Sequence, residues 1–518
     1  MSLARDITTV GGGTLISRLL AYLRDAWIAA LLGAGPHSEA LFVVLQIVNF
    51  FRRLLSEGAL NGVFVPIWLK LRGGEDGPAN AARFTQRVLL LMFCIVGFIA
   101  LLVIFFAPTV IAVIAPGFDR GRRSLAAFLL FLAAPYIVLA GLVAVIAAAL
   151  NAEGRVRAVV ISMVMFNLVM VLALGLLPRG DVDQFYITAW LASAVSIAGV
   201  LQLALTSAVW LSTGNRWRRA HTPAPDQTEN FFKRAFPGLI ATGVPQLKLI
   251  AVTAIASASP AAVSWLYYAN RLYELPLGVA SVAIAAVIVP RIASGVIAGD
   301  DHALVTAQSR AYEIALGLAL PAATGFALLA NPIAGGLFER GAFGPQDTVA
   351  VAGALAAISA GLPGHVLEKT FGAVSFAHED TQTPMAAALC GLAAAIVGGT
   401  LLFPRYGHIG LAAAFAASGW VGAAVLGSIL FRRRWLRLDE DAQRRLPRIA
   451  IATAIMGSAV VLGAVVAHAV IPTGESSSSG RVVVLIVLVT LGVAIYAVAL
   501  RVLGIATLQE LRAGMRSR

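Results

Sequence analysis

Four arginines stand where hydrocarbon-facing helices ought to carry none. The run Ser17–Pro66 reads SRLLAYLRDAWIAALLGAGPHSEALFVVLQIVNFFRRLLSEGALNGVFVP, with Arg18, Arg24 and Asp25 in one apolar stretch and Arg52, Arg53 and Glu57 in the next. A charge at mid-membrane costs roughly 2.5 to 3.5 kcal/mol on the insertion scale, so arginines outnumbering their acids must face water or an anion. Guanidinium stays protonated and presents a planar fork of N–H donors to paired anionic oxygens. The implied chemistry is capture of an anion in a cationic cavity inside a membrane.

Spacing refines this. Seven residues make nearly two helical turns, so Arg18 and Asp25 share a face, flanked by Ser17 and Arg24. Asn49, Arg52, Arg53 and Ser56 form one stripe, with Glu57 four residues after Arg53 as an intrahelical partner. A third stretch, VSWLYYANRLYELPLG from Val263, sets Arg271 after two tyrosines and before Glu274 and Pro276. Arg271 either pairs with Glu274 or faces the arginines of the first two spans, and proline there is tolerated where backbone lines a cavity.

The elements that must position these groups follow from composition. Hydrophobic residues are 59% of the 518 and charged residues 13%, with mean hydropathy +0.86, which excludes a soluble globular chain. The net charge of +13 sits in short clusters between apolar runs, as membrane topology requires and nucleic-acid binding does not. Fourteen apolar segments fall near 8–31, 38–69, 88–108, 124–150, 158–178, 185–212, 236–258, 262–290, 310–331, 347–373, 385–403, 409–431, 449–471 and 482–503. The fold class expected is an all-α polytopic membrane protein with both termini on one side. Loops at 70–87, 151–157, 213–235, 291–309 and 432–448, with the tails, hold roughly 24 Lys and Arg against about 7 in the alternate set, so the first set is expected to be cytoplasmic. Arg120, Arg122 and Arg123 after Pro116-Gly117-Phe118 are the exception.

A weak echo links Arg53-Leu54 and FVPIWLK from Phe64 with Arg271-Leu272 and IVPRIAS from Ile288. Two six-helix lobes in parallel orientation follow if this is a repeat. The expected organisation is 1–212, a linker at 213–235, a second lobe at 236–431, a basic linker at 432–448, and two further helices with a tail at 449–518.

These residues resemble the MurJ (MviN) lipid II flippases of the multidrug/oligosaccharidyl-lipid/polysaccharide exporter superfamily. SRLLAYLRDAWIAALLGAG, NFFRRLLSEGALNGVFVP, APGF at Ala115–Phe118, SWLYYANRLYELPLGV and AHEDTQTP at Ala377–Pro384 carry the likeness, in register over essentially the whole chain. The resemblance implies transfer of an undecaprenyl-pyrophosphate-linked disaccharide-peptide across the bacterial inner membrane, with helices 13 and 14 forming a groove for the lipid tail; the cytoplasmic placement of both termini is expected from the arginine distribution. It places the family's cavity arginines on Arg18, Arg24, Arg52 and Arg271, with Ser17, Asp25, Arg53 and Glu57 nearby, and the spacing above adds Asn49 to the candidate site. The family's aspartate at the start of the second span is Glu39 here, an acid before the eighth-span arginine is Asn270, and a fifth-span asparagine corresponds to Asn167. A pyrophosphate dianion suits this all-arginine set, since guanidinium binds its oxygens in bidentate fashion.

No cofactor or metal is expected; membrane potential or an unidentified counter-ion is the expected driving force. The expected partners are the lipid-linked precursor, membrane lipids and the cell-division or elongation machinery, around a monomer. Lys248 either snorkels to the cytoplasmic face or occupies a place where some relatives bind a cation. His378, Glu379 and Asp380 read as a solvated turn, His365 and His468 lack ligand-spaced partners, and Gly11–Gly13 is no phosphate loop because GxxxxGK[ST] is absent. A cation or drug exporter would want acids in place of the surplus arginine, and a glycosyltransferase would want a large acidic catalytic loop; no such loop is present, so no enzyme is expected.

Overall fold

The computed structural model describes residues 3–56, 59–74, 77–178, 182–214, 227–284, 298–470 and 478–505, with Gly180 and Ile292. Among these residues all regular secondary structure is helical, with no strand. It divides into two compact units, Met1–Val263 and Ser264–Arg518.

The first unit holds α1 (Leu3–Leu32), α2 (Pro36–Ser56), α3 (Ala59–Arg72), α4 (Gly77–Phe105), α5 (Ala107–Ile114), α6 (Arg120–Ala133), α7 (Pro135–Ala152), α8 (Val156–Gly175), α9 (Gln184–Ser212) and α10 (Gln227–Ala256). The unit boundary falls just inside α11 (Ala262–Ala283), later than the 213–235 linker, because α10 packs on α2 and α3. The second unit continues with α12 (Asp301–Leu328), α13 (Ala330–Phe338), α14 (Pro345–Ser359), α15 (Leu362–Ala377), α16 (Gln382–Arg432), α17 (Glu440–Val470) and α18 (Ser478–Val502).

Each of the fourteen apolar segments falls mainly on these helices over its described part, while residues 57–58, 285–290 and 471 of the second, eighth and thirteenth segments lie outside the described residues. Eight helices among the described residues are long and apolar enough to cross a membrane, or nine when α14 and α15, bent by 41°, count as one span. The long α16 covers two expected segments and breaks at Gly407, whose φ of 58° is left-handed backbone that glycine adopts without a Cβ clash. Charge is what keeps α1 and α2 out of the strictly apolar set, through Arg18, Arg24 and Asp25 in one and Glu39, Arg52 and Arg53 in the other. The medium is legible on α4, where Leu90, Phe98 and Leu101 are more than 60% exposed in one stretch. Apolar area on that scale belongs against lipid.

Local chemistry sets the helix starts. Asp119 accepts the Arg122 N–H and caps α6, Asp300 accepts the Ala303 N–H and caps α12, and Pro135 and Pro345 open α7 and α14, where a missing N–H is harmless. In the first unit α1 lies along α8, and a Cβ at Gly13 would come within 1.9 Å of Val160 Cγ1. Gly13, the last of the glycine run, thus allows α1 to approach α8 closely.

Candidate functional site

That close approach assembles the polar cluster of the first unit. Arg24 donates from Nε and Nη2 to Asp25 Oδ1, at 2.9 and 2.7 Å, and from Nη1 to Asn167 Oδ1 at 3.1 Å. Asn167 in turn donates to the Ser17 hydroxyl at 3.0 Å and to the Ser17 carbonyl at 3.1 Å. Ser17 and Arg24 are seven residues apart on α1, and both reach the same asparagine on α8. Arg24 is 2% exposed and Asp25 fully buried. The guanidinium expected to face an open chamber is therefore closed into the protein, its charge matched by Asp25.

On α2, Arg52 Nε donates to Asn49 Oδ1 at 3.2 Å, and the Ser56 hydroxyl donates to the Arg52 carbonyl at 2.6 Å. Arg18, Arg52 and Arg53 are half-buried, while Glu57 lies outside the described residues. Counted along each helix from the 33–35 turn at 1.5 Å per residue, Arg24 is roughly 12 Å down α1, Arg18 roughly 21 Å, and Arg52 roughly 24 Å down α2. The deepest burial thus falls on the arginine nearest that turn. Between these levels Thr253 of α10 donates to Gln46 of α2 at 2.6 Å.

Glu39 sits at the other end of α2, about 20 Å from Arg52 by helix rise. Its Oε2 accepts Arg122 Nη1 at 2.8 Å and its Oε1 accepts the Val263 N–H at 3.3 Å. Arg122 is also bonded to Asp119 Oδ2 at 2.9 Å, and Arg123 donates to the Pro116 and Phe118 carbonyls. The Ser257 hydroxyl accepts the Gly117 N–H at 2.9 Å. Two of the three arginines that break the loop-charge pattern, Arg122 and Arg123, are thus employed in holding the APGF turn. We expect Glu39→Gln and Arg122→Met to be strongly non-additive, with a coupling of more than about 1 kcal/mol in a double-mutant cycle read by thermal unfolding in detergent. Additive effects would make the ion pair incidental.

In the second unit Arg271 is 23% exposed and pairs with Glu274 at 3.4 Å. Lys248, in the first unit, is 6% exposed. Snorkelling would have left its ammonium in water, so that expectation is corrected.

The Ala377–Pro384 motif is also more than a solvated turn. Asp380 accepts the Gln382 and Thr383 N–H groups, both at 3.0 Å, and pairs with Arg433 and the Thr383 hydroxyl, while His378 stacks on Trp435 at 4.2 Å. The basic linker continues onto α12, where Gln308 accepts the Arg437 N–H, Ser309 accepts the Asp439 N–H, and Glu313 pairs with Arg310 and Arg445. The repeated arginines and the acidic turn were visible in sequence; their mutual pairing was not. Burial alone would raise the Asp380 carboxyl, but the Thr383 bonds and the Arg433 guanidinium outweigh it and hold it below the usual carboxylate range. Its stabilising contribution is therefore complete above the unfolded value, near 3.9, and is lost as pH falls through the lower folded value. Thermal melts between pH 6 and pH 3 should fall less steeply for Asp380→Asn than for the parent chain.

Two helical units rich in apolar spans, with guanidinium groups along α1, α2 and α11, define a polytopic α-helical membrane protein. The fold is similar to a solved lipid II flippase MurJ in an inward closed conformation, with TM-score 0.76 and 22% identity over 95% of this chain and 97% of that one. It is also similar to an inward-facing multidrug resistance MATE family transporter of the MOP superfamily, with TM-score 0.67 and 16% identity over 83% and 98%. The family model "Lipid II flippase MurJ" matches residues 28–476. A probable lipid II flippase MurJ of Rhizobium meliloti is 36% identical over 89% of this chain and 86% of its own, and a lipid II flippase MurJ of Burkholderia cenocepacia is 29% identical over 83% of each. The chain belongs to the lipid II flippase MurJ family.

Proposed function

We propose that this protein carries lipid II from the cytoplasmic to the outer leaflet of the bacterial inner membrane by alternating access. Membership of the family over residues 28–476 carries the reading. Arg18, Arg24, Arg52 and Arg271 bind the head-group pyrophosphate, with Ser17, Asn49, Arg53, Glu57 and Asn167 supporting them and Asp25 restraining Arg24 while no anion is bound. Glu39 acts at the far end of α2, steadying the APGF turn through Arg122. The basic loops and both termini lie in the cytoplasm, as arginine placement supports. Binding drives the cycle only through a difference in affinity between states, which relief of arginine repulsion by a dianion provides. Membrane potential acting on the site's net charge resets it. The surplus of arginine over acid disfavours export of cationic drugs.

A strain depleted of its own flippase and complemented with this gene tests the reading. Precursor accessible at the outer leaflet should be restored; accumulation of intact precursor on the cytoplasmic side despite normal membrane insertion would overturn it.

A further inference from the structure

One ionisable side chain within the second unit stands apart from the arginine chemistry. His365, on α15, is 8% exposed. Its Nδ1 lies 2.7 Å from the Tyr273 hydroxyl and 3.1 Å from the Gly361 carbonyl oxygen. A carbonyl only accepts, so the Gly361 bond requires a proton on Nδ1; a Tyr273 O–H can donate only to a bare Nδ1. Nδ1 thus has a partner whether it is bare or protonated, the protonated form being either the neutral Nδ1–H tautomer or the imidazolium, and a turn of the tyrosine hydroxyl exchanges the two partners.

The ring cannot swing away from this choice. A Cβ at Gly419 would come 2.4 Å from His365 Nδ1, one at Gly361 would come 2.4 Å from Ala416 Cα, and Phe415 stacks on the imidazole at 5.0 Å. A change at Nδ1 therefore passes to Tyr273, itself 1% exposed and two residues beyond Arg271 on α11. Charged and titratable neighbours are limited. On α15, Glu368 lies one turn beyond His365 and packs where a Cβ at Gly422 would fall 2.7 Å from its carboxyl, while Lys369 donates to Ser281 at 2.8 Å. From α11 come Tyr273, Arg271 and Glu274; α12 brings Tyr312, against Phe371, with Arg310 and Glu313; α14 has Asp347 at its start, bonded to Trp265; and α16 brings no ionisable residue between Leu411 and Leu430.

We propose that His365 is a proton-binding site, and that its occupancy is coupled through Tyr273 to the segment of α11 that carries Arg271. The proton arrives at Nδ1, displaces the tyrosine O–H as donor, and is held by the Gly361 carbonyl; the resulting imidazolium has Glu368 as the nearest acid on its own helix. The link to transport rests on the function proposed above, whereas the proton site does not.

Two measurements on the full-length protein separate these. In detergent micelles with 15N-labelled histidine, the signal missing from His365→Gln identifies the residue. Over a pH series from about 4 to 9 its ring nitrogens should show a single titration step, and Tyr273→Phe should displace that midpoint. A His365 signal that stays unchanged across this range would overturn the site. In proteoliposomes containing lipid II, the parent protein's flipping rate should respond severalfold to an imposed pH gradient and that of His365→Gln should not. An equal response from the variant would overturn the coupling, while absence of flipping by the parent protein under any gradient would contradict the proposed function and leave the spectroscopic arm to decide the site.

Discussion

Arg24→Ala should abolish lipid II translocation and also weaken the fold, whereas Arg24→Ala combined with Asp25→Ala should recover the stability without recovering transport. The reason lies in the burial of the pair: Arg24 is 2% exposed and Asp25 0%, so removing the guanidinium alone strands a carboxylate out of water. Breaking a buried pair in this way costs about 3 to 5 kcal/mol, while removing both charges together is close to neutral. Asn167 loses its Arg24 contact in either variant, and its bonds to Ser17 remain to hold α1 on α8. Thermal unfolding in detergent gives the stability arm, and flipping in proteoliposomes the functional one. Transport by the double variant would remove Arg24 from the proposed anion site.

Arg271→Ala should show the opposite balance, with transport lost by at least about 100-fold, equivalent to about 2.7 kcal/mol, and stability almost unchanged. Arg271 and Glu274 are each about one-quarter exposed and lie on a single helix turn. A partly solvated i,i+3 pair of this kind contributes about 0.3 to 0.5 kcal/mol, so deleting it leaves the fold intact. Arg271→Lys keeps the charge but loses the planar fork, and should transport at an intermediate rate. Vesicle flipping and thermal melts measured on the same preparations decide it; a melt lowered as far as that of Arg24→Ala would make Arg271 a structural residue.

These two variants differ because neighbouring elements treat the two arginines differently, and that difference could not be read from either local sequence. Both occur in apolar helices with an acid close behind. Arg24 is sealed because Gly13 lets α1 lie against α8, bringing a side chain 143 residues away into hydrogen-bond range. Arg271 keeps partial exposure. Of the two readings of Lys248, burial argues against snorkelling for a related reason: snorkelling is decided by what packs around the stem, and the stem here is enclosed.

Periodicity and composition by themselves determined that the chain is helical and polytopic in a membrane, because backbone groups in hydrocarbon must be satisfied within the segment. Residue type likewise determined that arginine, with its fixed charge and planar fork, dominates the polar positions of the first two spans. Only the tertiary structure decided which of those charges are closed off and by what. It paired Glu39 with Arg122 across 83 residues, tied Asp380 to Arg433 across 53, and set His365 between a donor and an acceptor. Helix propensity and hydrophobic pattern act over a few turns, whereas the partner of a buried charge is chosen by helices that meet far apart in the chain.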